Sequence, residues 1–213
     1  MFRLVVILGV LLLVLPCAAA EGQMQQLLNI GVNMAGARLK QPGNLCTKAV
    51  IPKTDSARVS QLLATIDTVG LKDELGYSPA YYAVMVDDTA QLKRLLNLGY
   101  SASGPLGSLL NAAAYWNSVK AASLLLDRGL NPNDLNSSGS TPLLVAVSEG
   151  GPDVARLLLQ HGARPSARDL RYALICKNQS AVDLLLRSGA EIDADARRLA
   201  NKYNLHLPPT GAN

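Results

Sequence analysis

Apolar residues along this chain recur in short helical stripes that come in pairs, each pair separated by a turn. The clearest pair begins at Gly139-Ser140-Thr141-Pro142-Leu143-Leu144-Val145-Ala146. Thr141 can cap a helix start through its hydroxyl, and Pro142 suits the first helical position, where no N–H is needed. Leu143, Ala146 and Val147 then form a narrow apolar stripe. Gly150-Gly151-Pro152 breaks that helix, and Asp153 stands at the start of the next, where a carboxylate suits the positive helix end. Val154, Leu157, Leu158 and Leu159 make the second stripe. Gly162 ends it in a left-handed conformation that glycine adopts at little cost.

The same pattern returns on both sides. It lies 33 positions back at Ser108-Leu109-Leu110-Asn111-Ala112-Ala113, and 30 further back at Gly76-Tyr77-Ser78-Pro79-Ala80-Tyr81-Tyr82-Ala83. It lies 27 positions forward at Asp169-Leu170-Arg171-Tyr172-Ala173. In all four copies the leucine-rich triplet starts 11 positions after the alanine (Ala83, Ala113, Ala146, Ala173), so only the connecting turns change length. The central copy closely resembles an ankyrin repeat, whose pattern is G-x-T-P-L-H-x-A, a glycine turn, then a leucine-rich helix ending in Gly-Ala. The resemblance covers roughly residues 56–203 and implies an all-α solenoid of stacked helix–turn–helix units. One such unit cannot bury its apolar face alone, which is why copies must flank it.

The rest of the chain arranges itself around that array. Residues 56–70 read as an N-terminal cap: a helix from Asp55-Ser56 to about Val69, with Val59, Leu62, Leu63 and Ile66 on one face and Gly70 as its stop. Repeats follow at about 71–103, 104–133, 134–166 and 167–193. In the last repeat Arg168-Asp169 stands where Thr-Pro would be, so its first helix can start differently. A C-terminal cap helix runs over about 195–203, with Arg197, Arg198, Asn201 and Lys202 on its wet face, and 204–213 reads as a frayed tail. Before the array, residues 21–55 form a leader. Met24, Leu27 and Leu28 mark a weak amphipathic helix there, and Ala35 to Pro52 reads as loop.

At the N-terminus, Arg3, the apolar run Leu4 to Leu15 and Ala18-Ala19-Ala20 describe a secretory signal peptide over residues 1–20. The run is short for a membrane span. Cleavage after Ala20 would release a mature chain with no membrane insertion, placed in a bacterial periplasm or secreted. Cys17 offers a lipid-anchored alternative, but Pro16 is a poor residue before a lipidated cysteine. Aromatic residues are only 4% while 49% are hydrophobic, which suits thin helical layers of Ala and Leu. The net charge of +4 is spread without a Lys/Arg run, so no nucleic-acid footprint appears.

Catalytic constellations are not found. His161 sits in a last helical turn, where a partly positive ring suits the helix end, and His206 lies in the tail. Asp87-Asp88 reads as a pair of solvated turn residues. No phosphate loop, nucleophile elbow or zinc motif is present, so the reading is not an enzyme, without cofactor or metal. The mature chain keeps Cys46 and Cys176, which an oxidising compartment would favour pairing. Layer stacking separates them unless the leader doubles back along the array, and the sequence leaves this open.

The resemblance also implies a working surface. Ankyrin arrays turn the first helix of each pair toward a concave side, with the positions flanking the alanine pointing outward. Those positions bring Tyr82, Met85, Tyr115, Trp116, Glu149 and Tyr172 onto one strip, beside Val86, Ala112, Val145, Ser148, Ile175 and Cys176. Aromatic anchors suit a binding surface because they bury much area and keep a polar handle. The competing reading packs Tyr115 and Trp116 against neighbouring helices or under the leader. The expected function is an exported, monomeric module that binds another protein, sequestering a toxin or escorting a secreted enzyme. The alternative is a structural or stress-related envelope scaffold.

Overall fold

The computed structural model describes residues 22–30, 53–105, 107–149 and 151–208. The stretch read as a signal peptide, Cys17, Cys46 and the leader loop therefore lie outside the described residues. The described chain is a stack of short antiparallel helix pairs. The inner row consists of α3 (Pro79–Met85), α5 (Leu109–Trp116), α7 (Pro142–Ser148), α9 (Ala167–Ile175) and α11 (Ala194–Tyr203). The outer row consists of α4 (Thr89–Leu98), α6 (Val119–Asp127), α8 (Pro152–Gln160) and α10 (Gln179–Arg187). Inner helices pack in sequence from α3 to α11, and each outer helix packs on its own inner helix. The core is the run of side chains between the rows. Leu95, Leu125, Leu158 and Leu185, one from each leucine-rich stripe, are all fully buried.

Two helices precede the pairs. In α1 (22–30), Met24, Leu27 and Ile30 recur at helical spacing and join the common core. Gln23 Nε2 donates to Thr65 Oγ1 at 2.7 Å, tying α1 to the end of α2 (Lys53–Ala64). The helix α2 ends at Ala64, five residues before the expected Val69. Its last turn is closed by Arg94 of α4, which donates to the carbonyl oxygens of Leu63 and Ile66. A helix end leaves carbonyls without partners, and a guanidinium fork both satisfies them and suits the negative pole.

The linkers set the loop side of the stack. A two-residue hairpin pairs β1 (Ser103–Gly104) with β2 (Gly107–Ser108), antiparallel. Gly107 has φ +95, and a Cβ there would lie 2.8 Å from the Cα of Asn136 in the next linker, so glycine lets adjacent linkers approach. The fourth unit lacks a comparable projection. Its first helix starts at Ala167 through a capping box, in which Asp169 N donates to Ser166 Oγ while Asp169 Oδ2 accepts from Ser166 N. This replaces the Thr-Pro start and adds residues at the N-terminal end of α9, leaving Ala173 in register. At α11, Asp193 caps Ala196 N at 2.7 Å and pairs with Arg171. The backbone donor at Ala196 and the Arg171 guanidinium hold the Asp193 carboxyl below its usual range.

Two expectations change at the turns. Residues 204–208 are not frayed: Leu205 and Leu207 pack on the core, Gln179 pairs with both backbone groups of His206, and Arg197 donates to the Pro208 carbonyl. Nor are Asp87 and Asp88 merely solvated. Asp88 caps its own helix α4 through Gln91 N at 3.0 Å, while Asp87 reaches the next layer and accepts from Ala121 N of α6 at 2.8 Å. Asn117 stands at the same turn position one layer on and accepts from Val154 N of α8 at 3.4 Å. By register the third such position is Gly150, which has no side chain to reach with. There the outer row opens. The helix α10 barely touches α8, and a cleft of about 300 Å³ lies between them, floored by Ala146, Val147 and Ala155.

Candidate interaction surface

The inner face is not uniform from end to end. The position just before the register alanine is Tyr82, Ala112, Val145 and Tyr172 in successive layers. Tyr82 and Ala112 are each 2% exposed, Val145 is half-buried, and Tyr172 is 38% exposed. The position two residues after the alanine behaves alike: Met85 is buried, Tyr115 and Ser148 are half-buried, and Ile175 is 40% exposed. One helical register thus runs from core to surface along the stack.

Tyr82, Met85 and Trp116 were expected to point outward, and the structure corrects all three. Each is buried, and each sits in the shared core. The reason is an aromatic cluster spanning α3 and α5. The rings of Tyr77 and Tyr81 stack at 4.2 Å, Tyr81 meets Tyr82 edge-on at 5.6 Å, and Tyr115 meets Trp116 edge-on at 5.1 Å. These are the offset and T-shaped arrangements that ring quadrupoles favour. Polar tips are satisfied inside the cluster. Trp116 Nε1 donates to the Tyr81 hydroxyl at 3.0 Å, and the Tyr82 hydroxyl donates to Asp73 Oδ2 at 2.5 Å. Asp73 Oδ1 in turn accepts from the backbone N–H groups of Leu75 and Tyr77, fixing the preceding turn. Burial raises the hydroxyl pKa of Tyr81 and of Tyr82 well above the ordinary phenol range, with Asp73 adding to it at Tyr82. These phenols stay neutral, Tyr81 accepting and Tyr82 donating within the packed cluster, so the aromatic end of the strip is structural.

Surface character appears at the other end. On α9, Tyr172 and Ile175 are exposed, and the Arg168 guanidinium lies 5.9 Å from the Tyr172 ring. At the turn after α9 and on α11 respectively, the Lys177 and Lys202 ammonium groups lie 5.3 and 5.2 Å from the Tyr203 ring, within cation–π range. Glu149, one layer back, is half-buried and has a partner of its own. On the loop side, Leu75 and Leu135 are the most exposed large apolar residues described, at 58% and 65%. Tyr100, another loop aromatic, is instead buried and donates its hydroxyl to the Thr68 carbonyl at 2.7 Å.

Cys176, at the end of α9, is disulfide-bonded. Its sequence-candidate partner Cys46 lies outside the described residues. Among the described residues, no group of His, Cys, Asp and Glu is arranged to hold a metal ion, and no helix is long and apolar enough to cross a membrane.

The family described as "Ankyrin repeats (3 copies)" matches residues 80–169. A glycerophosphocholine phosphodiesterase of Schizosaccharomyces pombe is 37% identical over 76 residues, 32% of this chain but 7% of that protein. The human ankyrin repeat and KH domain-containing protein 1 is 35% identical over 92 residues, 39% of this chain and 4% of that protein. The chain thus spans a small fraction of those two, and the phosphodiesterase match is confined to repeats. Mouse cyclin-dependent kinase 4 inhibitor B is 42% identical over 91 residues, 39% of this chain and 69% of that protein. With the helix pairs stacked in one register and most of a repeat protein aligned, this chain belongs to the ankyrin-repeat family.

Proposed function

We propose that this protein is an exported protein-binding module whose working surface is the C-terminal half of the inner face, together with the loop tips. Ankyrin arrays as a class present extended concave surfaces to protein partners. The observation that carries the reading here is the exposure of Tyr172 and Ile175 at register positions that are buried in the first layer. Tyr172 and Ile175 lie about one helical turn apart on α9 and so make one small apolar patch, and tyrosine is enriched among binding hot spots. Leu135 and Leu75 extend the apolar contact to the loop side. The N-terminal sequence pattern supports export to a periplasm or beyond, where the partner would be a toxin to sequester or a secreted enzyme to escort.

Affinity capture from the envelope fraction, wild type against Tyr172→Ala/Ile175→Ala, tests the surface. A partner retained by wild type and lost by the variant, with both proteins equally folded, is the expected result. Equal capture by both would reject this surface. Intact mass of the processed protein tests export: a chain beginning at Glu21 is expected, and a diacylated Cys17 would make it membrane-anchored instead.

A further inference from the structure

We propose that the exposed patch on α9 and α11 recognises an acidic segment of a partner protein, with carboxylates flanking an aliphatic or aromatic anchor. The inference rests on the protein-binding reading above and specifies the partner's chemistry.

The argument is a charge account of one corner of the molecule. Arg168, Tyr172, Ile175 and Lys177 follow one another along α9 and its turn, and Lys202 stands on α11, the next inner helix. Local carboxylates are already used. Asp169 is buried in the capping box of α9, Asp193 holds Arg171, and Asp195 holds Arg198. Glu149 has a partner of its own, and Glu191 precedes α11 at the end away from Lys202. Arg168 donates to a neutral acceptor, the Gly139 carbonyl, and among the described residues no carboxylate pairs with it. Among the described residues Lys177 and Lys202 have no carboxylate partner either. Both lean on the Tyr203 ring from about the same distance. Among the described residues these two ammonium groups share one ring and face no anion, and a partner carboxylate between them would relieve their mutual repulsion. Beside them Tyr172 and Ile175 supply an exposed apolar contact. Cations around an apolar centre select acidic, apolar-anchored ligands and reject basic ones, because like charges brought together at an interface are costly.

A random-peptide display library selected on the full chain tests this, with counter-selection on Tyr172→Ala/Ile175→Ala. The expected clones depend on Tyr172 and Ile175, carry Asp or Glu around a Leu or Phe, and bind more weakly as salt rises. Lys177→Glu/Lys202→Glu should weaken them by about tenfold or more, in the range of coupled charge pairs. Arg156→Glu/Arg187→Glu, on the outer helices α8 and α10, changes the net charge equally and should leave them unchanged, which controls for overall charge. Patch-dependent clones that are neutral or basic would overturn the acidic-partner inference and leave the binding surface standing. Clones none of which depend on Tyr172 and Ile175 would overturn both.

Discussion

Two kinds of junction hold the outer row, and they differ by one side chain. Between α4 and α6, Asp87 leaves its own turn in the left-handed region, at φ 57, and accepts from backbone donors at the start of α6. Between α6 and α8, Asn117 does the same at φ 55. In both places the first turn of an outer helix has its unpaired N–H groups satisfied by the previous layer, and the two outer helices pack. Gly151 is part of the fit: a Cβ there would lie 2.9 Å from Asn117 Oδ1. Between α8 and α10 the corresponding residue is Gly150. The helix α10 then relies on its own cap, Asn178, for Ala181 N, and the cleft opens. Packing of inner helices α7 and α9 continues through all of this. A stack can therefore keep its inner row continuous while its outer row parts, because the rows are joined by different chemistry. Apolar burial is non-directional and tolerates the change; the capping bond needs a side chain at one turn position.

The largest test of the comparison lies in the tightly joined half. Trp116→Ala should cost about 3–5 kcal/mol in a urea melt, the usual loss for a buried aromatic, because it opens the α3–α5 cluster and orphans the Tyr81 hydroxyl contact. Next come Leu125→Ala, Leu158→Ala and Leu185→Ala. All three residues are fully buried, and each truncation should cost about 2–5 kcal/mol. The comparison ranks them. Leu185 lies on α10, whose Ala181 and Leu184 line the cleft, so its neighbours have empty space to relax into and its loss should be the smallest. A loss at Leu185 equal to that at Leu125 would mean that the cleft does not loosen the layer.

Leu125, Leu158 and Leu185 were legible in the sequence, because a buried stripe depends on helical period and the period is local. The helix pairs and their order were legible for the same reason. Exposure on the inner face was not. Tyr82 and Tyr172 share one register position, and what separates them is the surrounding packing, in particular an aromatic cluster assembled from two layers. The turns were misread for a different reason. Asp87-Asp88 looks like a hydrated acidic pair when read along the chain, and the partner of Asp87 lies 34 residues away at Ala121. A signal was available: the fourth residue after each register alanine is Asp87, Asn117, Gly150 and Lys177, and the first two are the residue types that cap helices and tolerate positive φ. The capping box at Ser166 and Asp169 was also present as Ser-x-x-Asp, just ahead of where a Thr-Pro alignment directs attention.

A pair of glycine substitutions sharpens the comparison with smaller effects. Asn117 and Lys177 both adopt positive φ, at 55 and 53, but only Asn117 bridges to a following outer helix. Asn117→Gly keeps the backbone easy and removes the bridge, so it should cost about 0.5–1.5 kcal/mol, a single net hydrogen bond. Lys177→Gly removes no hydrogen-bonded bridge, gives up only an exposed contact with the Tyr203 ring, and relieves a side chain from the left-handed region, so it should be neutral or stabilise by up to about 0.5 kcal/mol. A loss at Asn117 without one at Lys177 is expected in paired melts. Equal losses at both would show that the turn residue matters for its own layer and not for the next.

The smallest effect concerns the difference between Asp87 and Asn117 themselves, which do one job with and without a charge. Burial raises the Asp87 carboxyl above its usual range, and the N–H groups of Ala121 and Lys120 only partly oppose it. Burial therefore disfavours the carboxylate more than the cap favours it. With the folded pKa above the unfolded one, the folded state holds more protons between the two values, so stability falls as pH rises through that window. Below the window the acid is protonated in both states, and above it ionised in both. Asp87→Asn keeps an oxygen to accept from Ala121 N and has no proton to lose, as Asn117 shows one layer on. Wild type and variant should thus differ least in acid, with the variant gaining relative stability as pH rises from the unfolded carboxyl pKa through the folded one, then holding that advantage to neutrality. Urea melts of both proteins across that range read the difference directly. A wild type that gains on the variant with rising pH would mean that the two backbone donors outweigh burial, and that the first junction is held by its charge.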